Sequence, residues 1–178
     1  MRQWDILRRG GLKGKIMKSP PVENLIETWQ RCTTIAQRQT QDLTQAESLL
    51  RPPVAGNCMN WVLGHILDNR DTCLEYLGQP RLLGPAERET YQRGSQALED
   101  PGAAVDLSAL LQALAQSNTL LAAALQALPP DGLEREVIFV GNPRPLGGLL
   151  AFLQWHETYH LGQLELLRQL AGKTEKII

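Results

Sequence analysis

Four stretches of the sequence repeat apolar residues at the spacing of an α-helix, and this feature restricts the possible folds most. The four stretches span residues 22–43, 58–78, 106–128 and 145–171. Asn57 and Asp106 are the predicted N-caps of the second and third helices, and Gly172 is the predicted stop of the fourth. Amphipathic helices must bury their apolar faces against one another, so we predict an all-α fold, a four-helix bundle.

The segments outside these helices are short or irregular. We expect residues 1–19, which carry six basic side chains, to be a disordered extension, residues 20–173 to form the bundle, and residues 174–178 to be a tail. The stretch "PAERETYQRG" in the long second connector predicts a short helix. The stretch "EREVIFVGNPRP" resembles a strand, but it is too short and isolated for us to predict a sheet.

Composition narrows the range of functions. A chain of 178 residues is long enough for one domain with a sizeable core, and a net charge of −1 argues against partners such as nucleic acid or an anionic membrane surface. We see neither a bilayer-spanning apolar run nor a secretory signal. Three cysteines without a C-x-x-C pair suggest free thiols in a reducing cytoplasm. We therefore predict a cytoplasmic protein with a small-molecule substrate.

The three histidines all fall on predicted inward faces. His156 and His160 are four residues apart on the fourth helix, so they share a face, and that face continues as a stripe of leucines. His65 lies among apolar positions of the second helix. Three buried imidazoles could be satisfied separately within the core, but a divalent metal bound by all three accounts for them together. We predict a metal site of His65, His156 and His160.

The motif "HETYH" also matches the zinc-peptidase signature H-E-x-x-H, in which the glutamate is a general base. A peptidase needs a third ligand beyond the pair and a strand along which its substrate extends. Downstream of His160 there is no further histidine, Glu165 follows within little more than one turn, and no sheet is predicted. We therefore reject the peptidase interpretation.

The two histidine motifs together resemble the DinB-like superfamily of metal-binding bundles. That family carries G-H-[IL] on its second helix and H-x-x-x-H-x-G-Q on its last. This chain has Gly64-His65-Ile66 and then His156, His160, Gly162 and Gln163 in the same order. The resemblance implies an up-down-down-up arrangement, one zinc or nickel ion on the three histidines, and a homodimer.

The resemblance also implies a function. Some members of the family are S-transferases that use low-molecular-weight thiols, and one branch consists of maleylpyruvate isomerases. We expect a metal-dependent enzyme of this thiol S-transferase type. A non-catalytic metal- or ligand-binding protein in a stress response and a purely structural bundle remain as alternatives.

Further residues have predicted roles around the metal. Glu157 is the candidate catalytic base, although its position favours a solvent-facing or interhelical glutamate. Five side chains are predicted to support a histidine or to contact substrate; they are Asn118, Gln163, Arg70, Trp61 and Tyr159. Of these, Arg70 is expected to bind a carboxylate of the thiol cofactor, the alternative being a surface ion pair.

Overall fold

The computed structural model describes residues 19–177, which form a bundle of four long helices with two short helices and one hairpin in the connections. The predicted all-α bundle and its short connector helix are confirmed. The predicted N-terminal extension lies outside the described residues except for Ser19. In chain order the elements are α1 (Val22–Thr40), α2 (Gln45–Ser48), α3 (Met59–Tyr76), α4 (Pro85–Tyr91), α5 (Leu107–Gln126), β1 (Glu136–Phe139), β2 (Asn142–Pro145) and α6 (Leu146–Leu170).

Hydrogen bonds between the helices establish their directions. The start of α1 contacts the middle of α6 through Leu25 and Gln154, and the end of α1 contacts the later part of α6 through Gln39 and Glu165, so α1 and α6 are parallel. The loop that precedes α5 contacts the start of α3, because the Asn60 amide donates to the Val105 carbonyl. Helices α3 and α5 therefore begin at the same end of the bundle and are parallel.

Helix α3 runs against α6, since residues near its start pack with the end of α6 and residues near its end pack with the start of α6. The order is therefore up-down-down-up, as predicted. Around the bundle, α6 lies between α1 and α3, and α5 completes the ring. This arrangement places the histidine of α3 opposite the two histidines of α6.

The core consists of two apolar clusters, one toward each end of the bundle. One includes Met59, Leu63 and Leu164, and the other includes Trp29, Leu74 and Leu149. Between them lie buried polar side chains, one from each long helix, which we call the central polar layer. It comprises Thr33 of α1, Arg70 of α3, Ser117 of α5 and Glu157 of α6.

The helix ends match the sequence expectations in part. Asp106 caps α5, because its carboxylate accepts the Ser108 and Ala109 N–H groups at 2.8 and 3.3 Å. Gly172 follows α6 with a φ of 79°, as its role as a stop requires. The prediction for Asn57 is wrong, because Cys58 occupies the N-cap of α3 and no side chain caps that helix end.

The strand-like stretch forms a two-stranded antiparallel hairpin, which the sequence analysis did not predict. Val140 and Gly141 make its two-residue turn with φ values of 50° and 74°, the combination that lets two antiparallel strands join tightly. The hairpin leads directly into α6 at Leu146. Over residues 19–177, no helix is both long and apolar enough to cross a membrane.

Candidate metal centre

The bundle brings the three histidines together. The Nε2 atom of His156 lies 3.0 Å from Nε2 of His160 and 3.4 Å from Nε2 of His65. One ring nitrogen of each histidine lies within 4.8 Å of the other two. Nitrogens bound at about 2.0–2.1 Å to one tetrahedral or octahedral ion lie roughly 3–3.5 Å apart. The three histidines could therefore hold a metal ion.

His65 is held in one tautomer by the connector between α3 and α5. Its Nδ1 lies 2.8 Å from the Tyr91 carbonyl oxygen, which can only accept a hydrogen bond, so the proton is on Nδ1. Its Nε2 lies 3.1 Å from the Asn69 amide nitrogen and therefore accepts. Nε2 of His65 thus carries no proton, as a metal ligand requires, and its lone pair accepts the Asn69 N–H.

Tyr91 owes its position to Gly64. A Cβ on Gly64 would lie 2.5 Å from Cε1 of the Tyr91 ring and closer still to its Cδ1 and Cγ, so only glycine lets the ring pack on α3. The Tyr91 hydroxyl donates to the Asn60 side chain at 2.7 Å and accepts from the Val105 N–H at 2.8 Å. These contacts fix the carbonyl that orients His65.

His160 has the same tautomer for a similar reason. Its Nδ1 lies 2.7 Å from Oε1 of Gln163, so the N–H donates to the amide oxygen and leaves Nε2 with a lone pair. The Nε2 atoms of His65 and His160 are therefore both unprotonated, and they lie 3.4 and 3.0 Å from Nε2 of His156. A cation among the three nitrogens satisfies all of them, so this donor set fits a divalent metal.

Burial keeps these imidazoles neutral. Burial, together with the smaller effect of neighbouring histidine charges, lowers the pKa of His65 and of His156 to about 4. Burial also lowers the pKa of His160. Neutral imidazole is the form that binds metal, so the site is ready to bind metal at neutral pH.

Aromatic rings surround the histidines. Trp61 stacks on His65 with centroids 4.9 Å apart, and its indole N–H donates to the Thr90 carbonyl and the Ser95 hydroxyl. Phe152 and Tyr159 lie nearly parallel to the His156 ring, each at 6.5 Å. Tyr159 is 57% exposed and the adjacent Trp155 is 63% exposed. The His156 side of the centre is thus open and aromatic.

Arg70 and Glu157 do not lie where their predicted roles require. Arg70 is only 1% exposed and Glu157 only 2%, and both carboxylate oxygens of Glu157 accept hydrogen bonds from the Arg70 guanidinium at 2.6 and 3.0 Å. Arg70 thus binds the carboxylate of Glu157, where we had expected it to bind a carboxylate of the thiol cofactor. Glu157 is an interhelical glutamate, and its carboxylate is engaged by Arg70.

Asn118 makes its hydrogen bond to a residue other than a histidine, so the predicted support of a histidine is not seen, while the predicted contact with substrate stays a prediction. Its amide donates to the Gln30 side chain at 2.7 Å near the surface between α5 and α1. The buried polar residue of α5 is its neighbour Ser117. The apolar repeat of α5 predicted Asn118 on the inward face, whereas Ser117 lies there.

Several residues of the site carried no recognisable signal in the sequence. Tyr91 acts through its main-chain oxygen, and Asn69 and Phe152 contact histidines through side chains that are common on any helix. Arg93, two residues after Tyr91, bears a positive charge that contributes to the lowered pKa of His65 and His156. Tyr91 and Arg93 act from the connector, through tertiary relations that a local pattern does not encode. Asn69 and Phe152 lie four residues from His65 and His156 on the same helices, a spacing that many helical residues share.

Comparison with known families decides the classification. The model of the DinB superfamily matches residues 25–164, which include all three histidines. This chain belongs to the DinB superfamily. No curated protein matches its sequence.

Solved structures agree with this assignment at the level of the fold. A conserved Enterococcus faecalis protein superposes with a TM-score of 0.65 at 18% identity, over 84% of this chain and 96% of that one. A DinB-like protein from Bacillus cereus gives 0.65 at 21% identity, over 88% and 96%. A mycothiol-dependent maleylpyruvate isomerase gives 0.62 at 18% identity over 85% of this chain. This DinB-superfamily chain spans 63% of the isomerase's length.

Proposed function

We propose that this protein is a metal-dependent enzyme that joins a low-molecular-weight thiol to a small electrophile. The observation that carries the proposal is the convergence of three neutral imidazoles beside an open, aromatic side. The similarity in fold to a mycothiol-dependent enzyme supports a thiol as the second reactant. We further propose that the metal is zinc or nickel, since both accept imidazole ligands.

One set of residues would hold the metal and another would bind the electrophile. His65, His156 and His160 hold the metal, and the Tyr91 carbonyl and Gln163 keep two of the rings oriented. When bound, a divalent cation supplies the charge that favours the thiolate form of a nearby thiol. Trp155 and Tyr159 offer apolar surface on which the electrophile can rest, next to His156.

The chain's own cysteines do not offer a reactive thiol. Cys32, Cys58 and Cys73 are buried and unpaired, and burial raises the pKa of Cys32 to about 12 and raises the pKa of the other two. A buried thiol that stays protonated is a poor nucleophile. The thiol must therefore come from solution, and the reducing cytoplasm that we propose as the location supplies such thiols.

One observation favours a second candidate, a non-catalytic metal- or ligand-binding protein in a stress response. Among residues 19–177, no carboxylate joins the histidine cluster, and the adjacent Glu157 is engaged by Arg70. A reaction that needs a carboxylate base at the metal would lack one. Thiol transfer does not need a carboxylate base when the thiolate is already formed. Turnover therefore distinguishes the enzyme from the binding protein.

The deciding experiment measures metal content and turnover in the same preparation. We expect close to one zinc or nickel per chain by elemental analysis, and thiol-dependent conjugation of 1-chloro-2,4-dinitrobenzene with glutathione, bacillithiol or mycothiol. His156→Gln should lose both metal and turnover, whereas Asn118→Ala, whose side chain bonds Gln30, should keep both. Metal without turnover for any thiol would favour the binding protein, and absence of metal would contradict the enzyme and the metal-binding form of the second candidate.

We also propose that two copies associate through α6. Beyond the aromatic pair that we assign to the electrophile, its exposed side carries Leu166 and Leu170, which lie one helical turn apart. Contiguous apolar surface of this kind is typical of an interface. Light scattering after size exclusion should give twice the chain mass, and Leu166→Glu should give a monomer. A wild-type monomer at micromolar concentration would contradict the proposal.

A further inference from the structure

The central polar layer gives every nitrogen of one buried guanidinium a hydrogen-bond acceptor. Arg70 Nε and Nη2 donate to the two oxygens of Glu157 at 3.0 and 2.6 Å. Its Nη1 donates to the Thr33 hydroxyl at 3.0 Å, the Ser117 hydroxyl at 3.1 Å and the Leu114 carbonyl at 2.9 Å. One side chain of α3 thereby contacts all three other helices of the bundle.

Stability alone does not explain this layer. Removing two charges from water is costly, and replacing a buried ion pair by well-packed apolar residues is often neutral or stabilising. The layer also separates two apolar clusters that are rich in leucine. Leucine surfaces pack in several registers of similar energy, whereas a buried polar contact is satisfied in only one register.

The register that the layer fixes is the one the histidines need. Glu157 follows His156 directly and precedes His160 by three residues, and Arg70 lies five residues after His65 on α3. Both ends of the ion pair are therefore within two helical turns of the metal ligands, on rigid helices. A slip of α3 along α6 by one residue moves it by about 1.5 Å, which is far more than metal–nitrogen bonds tolerate.

We propose that Arg70 and Glu157 are positioning residues, which hold α3 in register with α6 so that His65 meets His156 and His160. The inference rests on the metal site proposed above. It assigns the pair a role in metal affinity that is separate from its role in folding. It also accounts for an ionic pair between two helices whose other buried contacts are largely apolar.

The test replaces both charges at once, so that no buried charge is left unpaired. We expect Arg70→Met combined with Glu157→Leu to leave the urea midpoint of the metal-free protein unchanged or higher. The same double variant should bind zinc at least tenfold more weakly in a chelator competition, and its cobalt(II) absorption spectrum should change because the ligand geometry is no longer fixed.

Two single variants complete the design. Arg168→Met removes another buried arginine of α6, one that donates to the Gln39 and Gln41 carbonyls of the α1 end and not to α3, so it should leave the zinc Kd unchanged. Arg70→Lys keeps the charge but loses the two-pronged contact, and we expect an intermediate loss of affinity. If the double variant does not fold, the zinc affinity of Arg70→Lys tests the positioning role.

The outcomes separate this inference from the proposed function. Wild-type protein that binds no zinc, nickel or cobalt overturns both. Wild-type binding with an unchanged Kd in the folded double variant, or in Arg70→Lys where the double variant does not fold, overturns only the positioning role. A tenfold or larger loss in the double variant with an unchanged Arg168→Met supports the inference.

Discussion

At the scale of single residues, the centre depends on which nitrogen of each imidazole carries the proton. A main-chain carbonyl sets this for His65 and an amide oxygen sets it for His160. Neither partner changes its own charge with pH near neutrality. The protonation of the imidazoles themselves is therefore what links the site to pH.

We expect the metal-free protein to lose stability as the pH falls from about 6.5 to about 4. The pKa of His65 and of His156 is lowered to about 4 in the folded state, from an ordinary value of 6.5, so the unfolded chain binds more protons within this window. The contribution is fully present above pH 6.5 and is lost on acidification.

Urea unfolding at pH 7.5, 5.5 and 4.5 measures this dependence. A variant with all three histidines changed to glutamine should show a flatter dependence over the same range. Equal slopes for the two proteins would contradict the assignment of the effect to the histidines.

At the scale of elements, α3 and α4 meet through the missing side chain of Gly64. The ring of Tyr91 occupies the space where a Cβ would be, and its hydroxyl is held by Asn60 and Val105. The ring cannot move aside without breaking these bonds. The glycine of the family motif is thus needed for packing, and it acts on His65 through Tyr91.

Gly64→Ala should destabilise the protein by about 1–3 kcal/mol, because the cost of overpacking exceeds the gain of about 1 kcal/mol that alanine offers within a helix. It should also weaken zinc binding, since the Tyr91 carbonyl shifts from His65. Gly162→Ala is the matched control on α6, where an added Cβ meets nothing within 4 Å. Urea midpoints and zinc Kd values of the two variants decide it, and a stabilised Gly64→Ala would refute the packing argument.

The helices and the inward faces of the three histidines could be predicted from the sequence, because apolar spacing and Pro or Gly breaks are local. The up-down-down-up order came from the resemblance to the family. The predictions that were wrong depended on the rotation of a helix or on a contact with a residue distant in sequence. The inward polar residue of α5 is Ser117 and not Asn118, because packing against α1 and α3 sets the rotation of the helix. The pairing of Arg70 with Glu157 joins residues 87 positions apart, and no local pattern records it.

At the scale of the whole molecule, the centre joins the two antiparallel helices α3 and α6, which are also held by the central polar layer. Only the folded chain assembles the three imidazoles. A metal that binds the folded state alone must therefore stabilise the entire bundle.

Removing the metal should lower the melting temperature. At free zinc of a thousand times Kd the folded state gains roughly 4 kcal/mol, which corresponds to about 8–16 °C for a chain of this size. Calorimetry with zinc and with a chelator measures the difference. His160→Gln should melt at the same temperature in both conditions, and a wild-type protein that ignores the chelator would count against a site of this affinity.

The hydrogen bond from His65 to the Tyr91 carbonyl has a consequence for redesign. The acceptor is a backbone atom on a connector that lies beside the bundle and supplies none of the three imidazoles. Substitutions in this connector that keep Tyr91 in place would therefore alter the basicity of that imidazole without changing any of the three histidines. The properties of the centre can thus be adjusted from a segment that contributes no imidazole.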